Sequence, residues 1–270
     1  MYELEVLREQ FPIKMGPPYV FRFRPPNNNT LSELAEGYIW FSDRTSLNDP
    51  LDSNPEYVKI SSDPKEQKLL YDTIADSILD ERLKKYFDQN MDEARLKEFA
   101  QTKVEPFVNS FGIACFSMYP MNERLWEVYA SNNTGVCFHF DIDTDQEFFH
   151  NVHPIFYVPE IQTREYNPIS EPNHIVDLFY KKTEDWSYEK ELRLLKDRTG
   201  KIYFRREALQ SIIIGSQAEK NYIDQLIQLV KKHYPNVNVY QSVGPGAITD
   251  FKCVFLHGIE PRFDEASRDF

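Results

Sequence analysis

Trp186-Ser187-Tyr188-Glu189-Lys190-Glu191-Leu192-Arg193 sets two carboxylates two residues apart beside an aromatic pair. Leu192 and Leu194 stand two apart across Arg193, the period of a half-buried strand. In an extended chain side chains two apart share a face, so this reading points Glu189 and Glu191 the same way. Two like charges in one small volume raise each other's proton affinity, which suits acid/base work or the steadying of a cationic intermediate. An edge strand whose solvent face carries acids gives the same pattern with no chemistry attached, so partners elsewhere in the chain decide its meaning.

Strand signals dominate on both sides of this stretch. Residues 19–24 alternate apolar and basic side chains and stop at Pro25-Pro26, which places Arg22 and Arg24 on one face. A short helix over 30–36, capped by Thr30 and closed by Gly37, precedes a strand over 38–42 and a turn-rich loop, Asn48-Asp49-Pro50-Leu51-Asp52. Further strands are expected over 111–117, 135–141, 152–158, 189–196, 211–215, 237–241 and 251–256, with helices over 122–130, 175–182 and 217–233. Between about 63 and 108, Leu69, Leu70, Ile74, Ile78, Leu79, Leu83, Leu96 and Phe99 recur at helical spacing on a charged background, which predicts two or three amphipathic helices. The expected fold class is α+β: one domain over 1–270, with a mixed, largely antiparallel β core and a helical insertion at 63–108.

Composition narrows the function classes. The 270 residues carry 43 acids against 31 bases, a formal charge of -12 that repels a nucleic-acid backbone or an anionic bilayer. Twenty Phe and 16 Tyr against only 9 Gly describe a packed globular chain. Cys115, Cys137 and Cys253 are odd in number and sit in apolar runs, so they read as buried small hydrophobes in a reducing compartment. No apolar run approaches the roughly 20 residues of a membrane span, so a soluble, cytoplasmic protein is expected.

A basic strand, the strand-end Ser117 and the Glu-x-Glu pair follow one another along the chain. Two guanidiniums on one strand can clamp a phosphate, and a strand-end hydroxyl can orient a carboxylate. This order resembles the Arg, Ser, Glu-x-Glu signature of the ADP-ribosyltransferase fold, although Met118 and Tyr119 follow Ser117 where that family has Thr-Ser. The resemblance implies that Arg22 or Arg24 clamps NAD as substrate, that Ser117 orients Glu191, that Glu191 stabilises an oxocarbenium-like state and that Glu189 activates the acceptor. Trp126, Tyr129, Trp186 and Tyr188 would then offer stacking surfaces for nicotinamide or adenine.

A second resemblance covers more of the chain. Phe21 to Arg24, Trp40-Phe41-Ser42, the 48–52 loop, Cys115-Phe116-Ser117, Leu125 to Ala130 with Gly135, Lys182, Trp186, Tyr188-Glu189, Glu191, Arg193 and Ile212 to Gly215 resemble the bacterial domain of unknown function 2971 family. That family carries no established reaction; its kinship with suspected toxins and phage-defence proteins would suit an NAD-consuming enzyme with a protein or nucleic-acid acceptor. The alternative expectation is a non-catalytic recognition or regulatory module that binds a protein partner, in which Glu189 and Glu191 form structural ion pairs with Arg193, Arg22 or Arg24. A metal-dependent nuclease built on Asp49, Asp52 and the glutamates ranks below both. Asp49 and Asp52 read as turn-holders more readily than as cation ligands, the six histidines lack zinc spacing, and no metal is expected. Gly244-Pro245-Gly246 lacks the further glycine and helix start of a phosphate-binding loop.

Overall fold

The computed structural model describes residues 17–244 and 253–258. The chain opens with β1 (Tyr19–Arg24), whose apolar and basic residues are nearly all buried because the strand lies inside a sheet. Asn27 caps α1 (Asn28–Glu36) by accepting from the Thr30 N–H, and Gly37 closes it in the left-handed region at φ 80°. Thr30, expected as the cap, instead sends its hydroxyl to the Pro25 carbonyl. β2 (Tyr38–Phe41) and β3 (Val58–Ile60) lead into three helices, α2 (Pro64–Ser77), α3 (Glu81–Asn90) and α4 (Glu93–Ser110). Asp63, Asp80 and Asp92 cap these helices in turn, and Leu70 of α2 with Leu96, Val104 and Val108 of α4 share one buried cluster with Ile113 and Phe179.

β4 (Gly112–Ser117), α5 (Glu123–Val128) and β5 (Val136–Asp141) return the chain to the main sheet. The expected strand over 152–158 is interrupted at Ile155, whose N–H donates to the Glu191 carbonyl, so it forms two pieces, β6 (His153–Pro154) and β7 (Phe156–Val158). After β8 (Arg164–Tyr166), the stretch read as a helix over 175–182 makes only a 3-10 turn, Val176–Tyr180, and then extends as β9 (Lys181–Thr183) beside β7. β10 (Glu191–Lys196), β11 (Gly200–Tyr203), β12 (Leu209–Ile214), α6 (Lys220–His233), β13 (Asn238–Ser242) and β14 (Cys253–His257) complete the order; residues 251–252 of the last expected strand lie outside the described residues.

The result is a mixed α/β protein around one large, mostly antiparallel sheet. Its strand order is β14-β13-β12-β5-β1-β4-β10-β6, and only β12 and β13 run parallel. Val20, Phe116, Phe138, Leu194 and Ile212 on one face pack against Leu34 of α1 and Leu226 and Val230 of α6. Phe21, Phe23, Cys137 and Ile213 on the other meet Leu125 and Trp126 of α5. Burial of large side chains on both faces, each contributing about 1.5–3 kcal/mol, holds the central strands rigid and fixes what they carry.

Candidate functional site

β1 and β4 are neighbours in the sheet but meet at one register position, Phe21 opposite Ser117. Beyond it the Arg22 guanidinium takes the place of a strand partner, donating to the Cys115 carbonyl of β4 and to the Trp40 carbonyl of β2, at 3.1 Å each. Glu33 of α1 accepts the Trp40 N–H at 3.2 Å and pairs with Arg24 Nε at 2.8 Å. Side chains therefore satisfy backbone groups that a ladder would otherwise use, which is what the burial of polar groups demands. A cleft of 260 Å³ opens in this gap, lined by Arg22, Arg24, Ser117, Tyr129, Lys182, Glu189 and Glu191 among others. Burial pulls the Arg22 pKa down to about 10, against the opposing pull of Glu33.

The floor of the cleft is a network of charges. Lys182 Nζ lies 2.6 Å from Glu189 Oε2, 2.8 Å from Glu191 Oε2 and 3.5 Å from Asp52 Oδ2. Arg193, with no exposed surface, grips both Asp52 oxygens at 2.7 Å, Glu191 Oε1 at 2.8 Å and the Phe179 carbonyl at 2.7 Å. Tyr129 donates its hydroxyl to Glu189 Oε1 at 2.6 Å, and the Tyr157 hydroxyl accepts the Glu191 N–H at 3.0 Å.

The two glutamates are thus set apart by their partners. Burial favours the neutral form of both, but Arg193 and Lys182 together overcome it at Glu191 and hold its pKa at about 2. Glu189 has one cation and a neutral hydroxyl, and burial with the nearby Glu191 charge keeps its pKa above the usual carboxylate value despite Lys182. Lys182 is pushed up, since Glu191, Asp52 and Glu189 outweigh its burial, and burial with Glu189 pushes the Tyr129 hydroxyl up as well.

The segment that carries these glutamates is not the extended strand its alternation predicts. Glu184–Glu189 winds as a 3-10 helix, Lys190 sits in the left-handed region at φ 45° and ψ 47°, and the strand begins at Glu191. Glu189 and Glu191 still converge, but on the Lys182 ammonium rather than through a shared strand face. Ser117 supports the turn: its hydroxyl donates to the Glu189 carbonyl at 3.0 Å, and Asn122 donates to the Tyr188 carbonyl. Ser117 is thus bonded to Glu189 backbone and not to the Glu191 carboxylate, while remaining its register partner.

Three of the expected stacking residues do not line the cleft. Trp126 is fully buried, donates its indole N–H to the Pro120 carbonyl at 2.7 Å and meets Phe23 edge-on, so it is a core residue with its polar atom satisfied. Tyr188 stacks under Arg124 at 4.0 Å, and Trp186 lies 5.0 Å from Lys182. Tyr129 does reach the cleft. Asp52 proves to be the bidentate partner of Arg193, whereas Asp49 holds its turn by accepting the Leu51 N–H at 2.9 Å. Among the described residues no cluster of His, Cys, Asp and Glu has the makings of a metal site. Lys182 and Tyr157 escaped assignment to a site because neither falls in a repeated pattern; Lys182, one of a lysine pair followed by Thr183-Glu184-Asp185, carries no local mark of the burial it has in the fold.

Residues 125–194, which run from α5 through most of β10, match the family model described as protein of unknown function (DUF2971). The matched segment contains Tyr129, Lys182, Glu189, Glu191 and Arg193, and leaves Arg22, Arg24, Asp52 and Ser117 outside it. Comparison with curated proteins and with solved structures gives no match. No helix among the described residues is long and apolar enough to cross a membrane.

Proposed function

We propose that this chain cleaves the bond between nicotinamide and ribose in NAD, as an ADP-ribosyltransferase or an NAD glycohydrolase on a sheet akin to the ADP-ribosyltransferase fold. The observation that carries the reading is convergence: the arginine strand β1, the serine strand β4 and the glutamate strand β10 are consecutive in the sheet, and their signature residues line one cleft. With Glu189 ionised, three carboxylates face two cations in the floor, leaving one net negative charge beside the reacting centre. Such a field favours the positive charge that develops on the ribose as the glycosidic bond breaks and its electron pair returns to the nicotinamide ring. Glu189 then takes the proton of water or of the acceptor hydroxyl or amine as the new bond forms at the ribose carbon. Glu191, whose carboxylate is held far down in pKa by Arg193 and Lys182 and so binds a proton poorly, acts through charge and by positioning Lys182. Arg24 and Arg22 flank the space for phosphate. An effector of this kind depletes NAD in its cell, as a toxin or phage-defence protein would.

The ion pairs of Glu191 favour a second reading, a recognition module in which this network only braces the fold. Release of free nicotinamide from NAD, followed by chromatography with and without cell lysate as an acceptor source, separates the two. The expected result is release by the wild type and loss of at least about a hundredfold in a folded Glu189→Gln variant, the usual scale of a general base. No release by the wild type under either condition sinks the NAD reading and leaves the module.

A further inference from the structure

We infer that Trp40 is the platform on which the purine base of an adenine nucleotide stacks, with the terminal nitrogens of Arg24 on the adjoining phosphate; this rests on the reading of the cleft as an NAD site. A volume of 260 Å³ falls below the range of about 300–1,000 Å³ typical of small-molecule sites, so the cleft holds one end of a dinucleotide and the other end must lie outside it. Trp40 is placed for that end. Ser42 lines the cleft, and Trp40, two residues earlier on β2, shares its face at a distance of about 7 Å along the strand. Trp40 is 46 % exposed, whereas Ile39 and Phe41 on the opposite face are buried in the core.

The platform is rigid and electrostatically matched. Both backbone groups of Trp40 are tied into the arginine network, the carbonyl to Arg22 and the N–H to Glu33, so little freedom is lost when a base lands on the ring. Glu33 also holds Arg24 by its Nε, leaving the two terminal nitrogens of Arg24 without a hydrogen-bond partner among the described residues. Lys201 is the register partner of Trp40 on β11, and Tyr203, 60 % exposed, lies opposite Tyr38 on the same ladder. An aromatic surface next to unengaged guanidinium donors suits a base joined to a phosphate.

The test is equilibrium dialysis of the full chain with AMP and, separately, nicotinamide mononucleotide, for wild type, Trp40→Ala and Trp40→Phe, with nicotinamide release from NAD measured alongside. We expect Trp40→Ala to weaken AMP about tenfold, the size of one base-aromatic stack, to leave nicotinamide mononucleotide unchanged, and Trp40→Phe to keep most of the AMP affinity. Unchanged AMP binding in Trp40→Ala, equal loss of both ligands, or no AMP binding by the wild type overturns the inference. NAD turnover with an unaltered KM in Trp40→Ala removes Trp40 and keeps the cleavage reading. Trp40-dependent AMP binding without nicotinamide release keeps the purine subsite and removes the cleavage.

Discussion

Glu191→Gln should cost stability through one identifiable term. The side chain is buried, accepts from Arg193 and Lys182, and its pKa is lowered from 4.5 to about 2. At roughly 1.36 kcal/mol per unit, that shift corresponds to about 3 kcal/mol of folding stability at neutral pH, in line with the roughly 3–5 kcal/mol lost when one member of a buried pair is removed. A carboxylate with a depressed pKa contributes in full above its unfolded value of 4.5, and the contribution is lost as pH falls through about 2. Glutamine keeps the shape but not the charge. Urea unfolding followed by far-ultraviolet circular dichroism should therefore show a gap between wild type and variant of about 3 kcal/mol at pH 7, shrinking to about half by pH 3. A gap under about 1 kcal/mol at pH 7, or one that stays constant down to pH 3, would refute the reasoning. The same numbers make Glu189→Gln the cleaner probe of chemistry, because a fall in activity in Glu191→Gln is confounded by the lost fold energy.

Arg193→Met strands the Asp52 and Glu191 carboxylates with Lys182 alone, and the urea midpoint should fall by an amount equivalent to about 3–5 kcal/mol at pH 7; acidification should then restore part of it as the stranded groups protonate. Lys190 holds the left-handed conformation that turns Glu189 back toward Lys182, so Lys190→Gly should be neutral or slightly stabilising while Lys190→Val costs about 1–2 kcal/mol, both read from thermal melts. A Cβ at Gly135 would lie 2.1 Å from the Arg24 carbonyl, so Gly135→Ala must push β1 aside; a loss of about 1–3 kcal/mol in melts is expected, and weaker NAD binding with it. If Glu189 is the base, the initial rate of nicotinamide release rises with pH along an acid limb whose midpoint lies above 4.5, since burial raises its pKa and only the ionised form accepts a proton; Glu189→Gln should abolish that limb.

Much of the sheet was written in local pattern. The alternation of Tyr19 to Arg24 fixed a strand and the shared side of its two arginines, because a period of two needs nothing beyond the backbone pleat. Its central place in the sheet was not legible, since nothing local to Arg22 and Arg24 shows that Glu33, nine residues past Arg24 on α1, is brought against them. The segment around Glu189 failed for the opposite reason. Its apparent period came from Leu192 and Leu194, which lie beyond the turn, and a lysine carries no sequence mark of a left-handed backbone as glycine would. Trp126 was misplaced as a ligand surface because sequence cannot show that Pro120 offers its indole a carbonyl. The pairing of Asp52 with Arg193 is a tertiary contact between distant segments, and no local rule reaches it.

The divergence of the two glutamates makes the cleft more than a set of braces. A network built for stability alone gains from driving every carboxylate low, as Arg193 and Lys182 do at Glu191. Glu189 gets the reverse: with a neutral tyrosine in place of a second cation, burial and the fixed Glu191 charge beside it raise its affinity for a proton despite Lys182. Its charge therefore costs folding energy at neutral pH rather than supplying it, because a raised carboxylate pKa contributes stability only while the group is protonated. Paired carboxylates whose environments push them in opposite directions are the pattern by which acid and base roles divide in enzyme sites. A Tyr129→Phe variant isolates the point: losing the hydrogen bond to Oε1 removes a contact that favours the ionised form, so the acid limb of nicotinamide release should move to still higher pH. An unmoved limb in a catalytically competent Tyr129→Phe protein would place the titrating group elsewhere and return Glu189 to the scaffold.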